Sequence, residues 1–152
     1  MYYSNFNIQS EARDELSNRQ ARNFWRRVLH FGKSLKLCSF TLASKQADTK
    51  NRVDEGIQLI PVENIIGSVS DNHHFDDRFN PCQTVSAERW TSIYIGFLLG
   101  AAIPPINVYE INGYYYVEDG HHRVSVAHAV GQIMIEAHII SIRRPVVNKN
   151  RC

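Results

Sequence analysis

Apolar residues recur at three- and four-residue intervals over 11–31, where Ala21, Phe24, Trp25, Val28 and Leu29 form one stripe, and this spacing predicts an amphipathic helix. Ser10 is placed to cap its start and Gly32 to end it. Arg19, Arg22 and Arg26 share one side of this helix. They read either as a contact face for phosphates or a partner, or as a solvated flank. Periodicity then lapses. Residues 36–55 contain the polar run Ser44-Lys45-Gln46-Ala47-Asp48-Thr49-Lys50-Asn51-Arg52 and read as loop or linker, which places the boundary of the main domain near residue 55.

Ile57-Gln58-Leu59-Ile60-Pro61-Val62 is a short strand pattern, and Pro61 assigns it to an edge or a strand end. Residues 67–84 read as a polar loop rich in His, Asp and Asn. A helix is predicted over 86–99, with Trp90, Ile93, Tyr94, Phe97 and Leu98 for its buried face and Gly100 as terminator. Pro104-Pro105 leads into a strand over 106–111. Asn112-Gly113 is a strong hairpin signal, and Tyr114-Tyr115-Tyr116-Val117 returns antiparallel to that strand. The tyrosines read as an alternating strand, with one or two rings packed inside, rather than as a stacking platform for bases. A helix from about residue 121 to Val130, stopped by Gly131, and a β-branched last strand over 133–142 complete the pattern. The tail, 145–152, is expected to fray. The strand before Asp119-Gly120 should end near Val117, and the next helix should begin within two residues of His121.

Composition changes this picture little. The chain has 152 residues, 43% hydrophobic and 21% charged, which is the balance of a folded protein. A net charge of +2 is too small to argue for a nucleic-acid partner by itself. No secretory signal is apparent at the start, and the longest apolar stretch, 93–106, is interrupted by Gly96, Gly100 and Pro104-Pro105. Membrane insertion is therefore not expected. Cys38, Cys82 and Cys152 are odd in number, widely spaced and without a CxxC pair. Reduced thiols in a cytoplasmic protein are the simplest reading.

The chemistry concentrates at Val117-Glu118-Asp119-Gly120-His121-His122-Arg123. A glycine between strand and helix lets backbone approach a ligand, and the first N–H groups of the helix form an anion site. Arg123 can add a guanidinium fork, while His121 and His122 can supply donors or a proton carrier. Asp119 conflicts with a bound phosphate. As an N-cap it repels the anion, unless Mg²⁺ bridges the two or it turns aside to act as a base. The bland alternative is a capped helix with surface histidines and a solvated arginine. A second group, His73-His74-x-Asp76-Asp77, has ligand types suited to a divalent metal, but adjacent histidines in an extended chain point apart. That loop reads better as polar surface, long enough to be a lid anchored by Phe75 and Phe79.

From Pro104-Pro105-Ile106-Asn107-Val108-Tyr109, through Gly113 to Ala127 with its Asp119-Gly120-His121-His122-Arg123 turn, and on to Gly131, the chain resembles the ParB/sulfiredoxin superfamily. The resemblance implies an α+β, ParB/sulfiredoxin-like domain over 56–144. It is preceded by an N-terminal helical extension and linker over 1–55 and followed by the tail, 145–152. It further implies a phosphate turn of Gly120, His121, His122 and Arg123 for ATP or CTP, with Asp119 as a Mg²⁺ ligand or base. Glu63 is a loosely matched base candidate, and His121 a proton carrier. Sulfiredoxins carry a catalytic Cys where His121 stands, so thiol-based sulfinic reduction is not expected. Partition proteins follow their turn with a helix-turn-helix, for which too few residues remain here, so centromere reading is not expected either. Free-serine kinases and their relatives have a turn similar to this one. Three functions are thereby implied. The first is a Mg²⁺-dependent nucleoside-triphosphate-binding domain that transfers or hydrolyses phosphate. The second is a non-catalytic nucleotide-sensing or protein-interaction module, and the third a non-specific nucleic-acid binder or nuclease that uses Arg22, Arg26 and the basic tail, with phosphodiester recognition at the same turn.

Overall fold

The computed structural model describes residues 5–31, 35–44 and 51–143. In chain order these form α1 (Asn5–Leu29), β1 (Cys38–Ser39), α2 (Phe40–Ser44), β2 (Arg52–Pro61), a 3₁₀ turn (Val62–Asn64), β3 (Ile65–Ser68), α3 (Ala87–Leu98), β4 (Ile106–Ile111), β5 (Tyr114–Asp119), α4 (His121–Ala129) and β6 (Met134–Ile142). The strands make one sheet in the order β1-β3-β5-β4-β6-β2. Two ladders, β4–β5 and β2–β6, are antiparallel, and the β1–β3, β3–β5 and β4–β6 ladders are parallel. The mixed α and β content and the N-terminal helix agree with the expected class.

The local signals explain the second half of the chain. Asn112 and Gly113 both take left-handed φ, 56° and 83°, as a two-residue hairpin turn demands, and β4 and β5 pair directly around them. In α3, Ser86 accepts the Arg89 N–H as an N-cap, and Trp90 and Tyr94, four residues apart, face inward. Leu98, expected inside, is 43% exposed. Alternation along β6 sends Ile135, Ala137 and Ile139 into the main core, where they meet Ile106, Val108, Val117, Trp90 and Val124. On the opposite face of the sheet a smaller cluster of Ile111, Tyr116 and Ile142 is covered by Phe40 and Ala43 of α2.

The first half departs further from expectation. Helix α1 starts at Asn5, so Ser10 lies inside it and caps nothing, while Gly32 is outside the described residues. Its expected apolar stripe is turned outward, with Phe24, Trp25, Val28 and Leu29 all exposed. The inward face carries Ala12, Leu16 and the polar Asn23. Polar pairing sets this orientation. Arg26 holds the fully buried Asp76 at 2.5 Å and Asp77 at 2.9 Å. Arg19 donates to Asn80 Oδ1 and to the His128 carbonyl, and Asn23 donates to the Asn80 carbonyl. Arg19 and Arg26 are therefore neither a phosphate face nor a solvated flank.

Within the expected linker the structure has β1, α2 and the beginning of β2, which starts at Arg52 rather than Ile57. A bulge at Asp54/Gly56 breaks the alternation there and hides the strand from a period-two reading. In the 67–84 loop, Asp76 Oδ1 accepts the N–H groups of Arg78 and Asn80, and Phe75 and Phe79 are buried. The tail, 145–152, lies outside the described residues. Among the described residues no helix is long and apolar enough to cross a membrane.

Candidate functional site

Strand β5 runs to Asp119, two residues past Val117, and α4 begins at His121. Gly120 joins them with φ 110°, and a Cβ there would lie 2.5 Å from Ile106 Cγ2, so both conformation and space require glycine. Val124 N–H donates to the Gly120 carbonyl at 3.0 Å, closing the first helical turn. No side chain caps the helix, and the N–H groups of His121, His122 and Arg123 have no acceptor among the described residues. Asp119, expected as the cap or a metal ligand, is ion-paired with Arg123, four residues on, and its side chain is largely exposed. Arg123 also donates to the carbonyls of Pro104 at 2.8 Å and Pro105 at 2.5 Å. Its guanidinium thus ties the start of α4 to the segment entering β4.

His121 Nε2 lies 2.7 Å from Ser68 Oγ, and its ring stacks on Phe75 with centroids 6.3 Å apart. Burial, aided by the nearby charge of His122, lowers its pKa to about 4, with Asp119 opposing the shift. At neutral pH this imidazole is uncharged. His122 meets Phe75 edge-on at 5.5 Å, and its buried Nε2 has no hydrogen-bond partner among the described residues. Burial, then the charges of Arg89 and His74, lowers its pKa as well.

The structure therefore brings Asp119, Gly120, His121, His122 and Arg123 together at one turn. It does not join Glu63 to them. Glu63 is exposed on the 3₁₀ turn and makes no hydrogen bond or ion pair with this group. The His73-His74-x-Asp76-Asp77 residues are spread apart. His73 pairs with Asp71, His74 Nδ1 lies 2.7 Å from Thr84 Oγ1, and Asp76 is buried. Among the described residues no three His, Cys, Asp or Glu side chains are arranged to hold a metal ion. Cys38 and Cys82 are free thiols. Ser68 and the Pro104-Pro105 carbonyls are the site components that sequence reading missed, while Phe75, read there as a loop anchor, packs on both His121 and His122. Ser68 reaches His121 only through the parallel pairing of β3 with β5, in which Ser68 sits opposite Val117.

No protein-family model matches the chain. No curated protein matches it either. Among solved structures the chain is similar to a sulfiredoxin from Arabidopsis thaliana, with 20% identity and a TM-score of 0.42 over 59% of this chain and 85% of that one. Nothing about activity follows from a likeness of that size. The mixed α/β class rests on the strands and helices described above.

Proposed function

We propose that this domain binds a nucleoside triphosphate, ATP or CTP, with its phosphates at the N-terminus of α4. The observation that carries the reading is the set of N–H groups at His121, His122 and Arg123 that have no acceptor among the described residues. A helix end of this kind carries partial positive charge and favours an anion. His121 and His122, uncharged at neutral pH, add hydrogen-bonding capacity rather than charge. Arg123 is already engaged by Asp119 and two carbonyls, so its first role is to hold the turn in shape.

Mg²⁺ would be held by Asp119. That single exposed carboxylate, with phosphate oxygens and water, supplies what this hard cation needs. When bound, the ion would offset the repulsion between Asp119 and phosphate. Binding is better supported than catalysis, because the base candidate Glu63 is exposed and makes no hydrogen bond or ion pair with the turn. The Asp119–Arg123 pair favours, as a second reading, a nucleotide-sensing module without phosphoryl transfer.

Calorimetry with ATP, CTP and GTP, with and without Mg²⁺, tests this. The expected result is triphosphate binding that Mg²⁺ strengthens, and that Asp119→Asn makes indifferent to Mg²⁺. Folded protein that gives no binding heat with any triphosphate ends the proposal.

A further inference from the structure

Helix α1 and the segment around residues 78–80 border a cleft of about 870 Å³, at the end of α4 remote from the Gly120 turn. That volume falls in the range, roughly 300–1,000 Å³, of clefts that hold small molecules. Its walls include Arg22, Trp25 and Leu29 from α1, Arg78 and Asn80, and His128 from the last turn of α4. Arg19 and Arg26 also line it, but their guanidiniums are fixed by Glu15, Asn80 and the His128 carbonyl, and by Asp76 and Asp77. By contrast, the Arg22 and Arg78 side chains have no hydrogen-bond or ion-pair partner among the described residues.

Two unpaired cations thus share a cleft with the ring of Trp25, which is 58% exposed and braced edge-on by Phe24 at 5.5 Å. The carbonyl end of α4 would repel an anion, but Arg19 donates to the His128 carbonyl there at 2.9 Å. The His128 Nε2 has no hydrogen-bond partner among the described residues. Free guanidiniums require negative charge in a ligand, and the open indole requires a flat apolar body. Bases joined by phosphodiesters supply both at short, regular spacing. Carboxylates on a peptide supply the charge without the ring.

We infer that this cleft binds single-stranded nucleic acid without sequence preference, one base stacking on Trp25 and the adjoining phosphates meeting Arg22 and Arg78. The site is separate from the α4 turn and stands whether or not that turn takes a nucleotide.

A fluorescein-labelled oligothymidylate of about twelve nucleotides, titrated into the full chain in EDTA at about 50 and 200 mM NaCl, tests this by anisotropy. Tryptophan emission reports the cleft directly, because Trp90, the other tryptophan, is fully buried. Binding is expected at the lower salt, with quenching of Trp25. Trp25→Ala should weaken it about tenfold or more. Arg22→Glu with Arg78→Glu should remove it, and Arg22→Gln with Arg78→Gln should lower the salt slope by about 1.4, the share of two phosphate contacts on a single strand. None of these exposed changes should move the melting temperature appreciably. Absence of binding at low salt, binding that these variants leave intact, or tighter capture of a Glu-Leu repeat peptide would overturn the inference. So would a gain of affinity in Asp119→Asn, which in EDTA would put the strand at the α4 turn instead, where loss of the carboxylate removes a repulsion.

Discussion

A methyl group added at Gly120 would lie 2.5 Å from Ile106 Cγ2 and 2.9 Å from Ile106 Cβ, while the same addition at Gly113 meets nothing within 4 Å. Both glycines have positive φ, 110° and 83°. The pair therefore separates backbone strain from steric exclusion. Gly113→Ala should cost about 1–2 kcal/mol, the strain of a left-handed residue with a side chain. Gly120→Ala should cost about 2–5 kcal/mol, because overpacking against Ile106 adds to the same strain. Urea unfolding of the two variants measures the difference, and equal losses would show that Ile106 simply moves aside. The residues around Gly120 were only partly legible beforehand. Asp119 and Arg123 sit four apart on adjoining elements, a local pairing that spacing alone permits. The carbonyls of Pro104 and Pro105, which complete the Arg123 interactions, come from a segment that only the closed hairpin brings near.

At the scale of elements, α1 is fastened by a buried ion pair rather than by its apolar stripe. Asp76 is fully buried and receives Arg26 together with the N–H groups of Arg78 and Asn80. Arg26→Ala leaves that carboxylate without its counter-charge and should destabilise the fold by about 3–5 kcal/mol. Arg22→Ala, one turn earlier and without a partner among the described residues, should stay within about 0.5 kcal/mol. A shared midpoint for the two variants in chemical denaturation would refute the assignment. Hydropathy could not have oriented α1, since it places Phe24 and Trp25 inside and cannot see a carboxylate arriving from a loop. Strand β3 was hidden for another reason. It spans only four residues, Ile65–Ser68, and its ladder with β5 shifts register between Ile65 and Gly67. The elements from β4 to β6 were legible because Asn112-Gly113, Pro104-Pro105 and Gly131 punctuate them locally.

At the scale of the molecule, three histidines among the described residues are held uncharged by burial, which leads the causes for His121, His122 and His128 alike. Each binds a proton more readily in the unfolded chain than in the fold. Their contribution is complete above the ordinary histidine pKa of about 6.5 and is lost as pH falls below it, for His121 down to about 4. His121 can remove up to about 1.4 kcal/mol per pH unit inside that window, and His122 and His128 act in the same direction. Denaturation midpoints should therefore drop between pH 7 and pH 5, and His121→Gln should flatten the profile. An unchanged midpoint across that interval would show that these rings are solvated. Asp54 and Glu55, held low chiefly by the Gly56 N–H and by Ser141, add acid sensitivity only further down, in the carboxylate range.

Sheet order also governs how this chain can be made. Strand β2 lies at one edge of the sheet, and its partner there is β6, with Arg52 opposite Ile142. A ribosome delivers β2 long before it delivers β6. In that interval Ile57, Leu59 and Ile60 have no strand to join, and β4 lacks one of its two neighbours. Closing so distant a pair is slow, and an unpaired apolar strand invites association with other nascent chains. Emergence of β6 is thus the moment at which β2 and β4 gain their shared neighbour, and a chain cut before Met134 should aggregate at concentrations where the full chain stays dispersed, as light scattering would show.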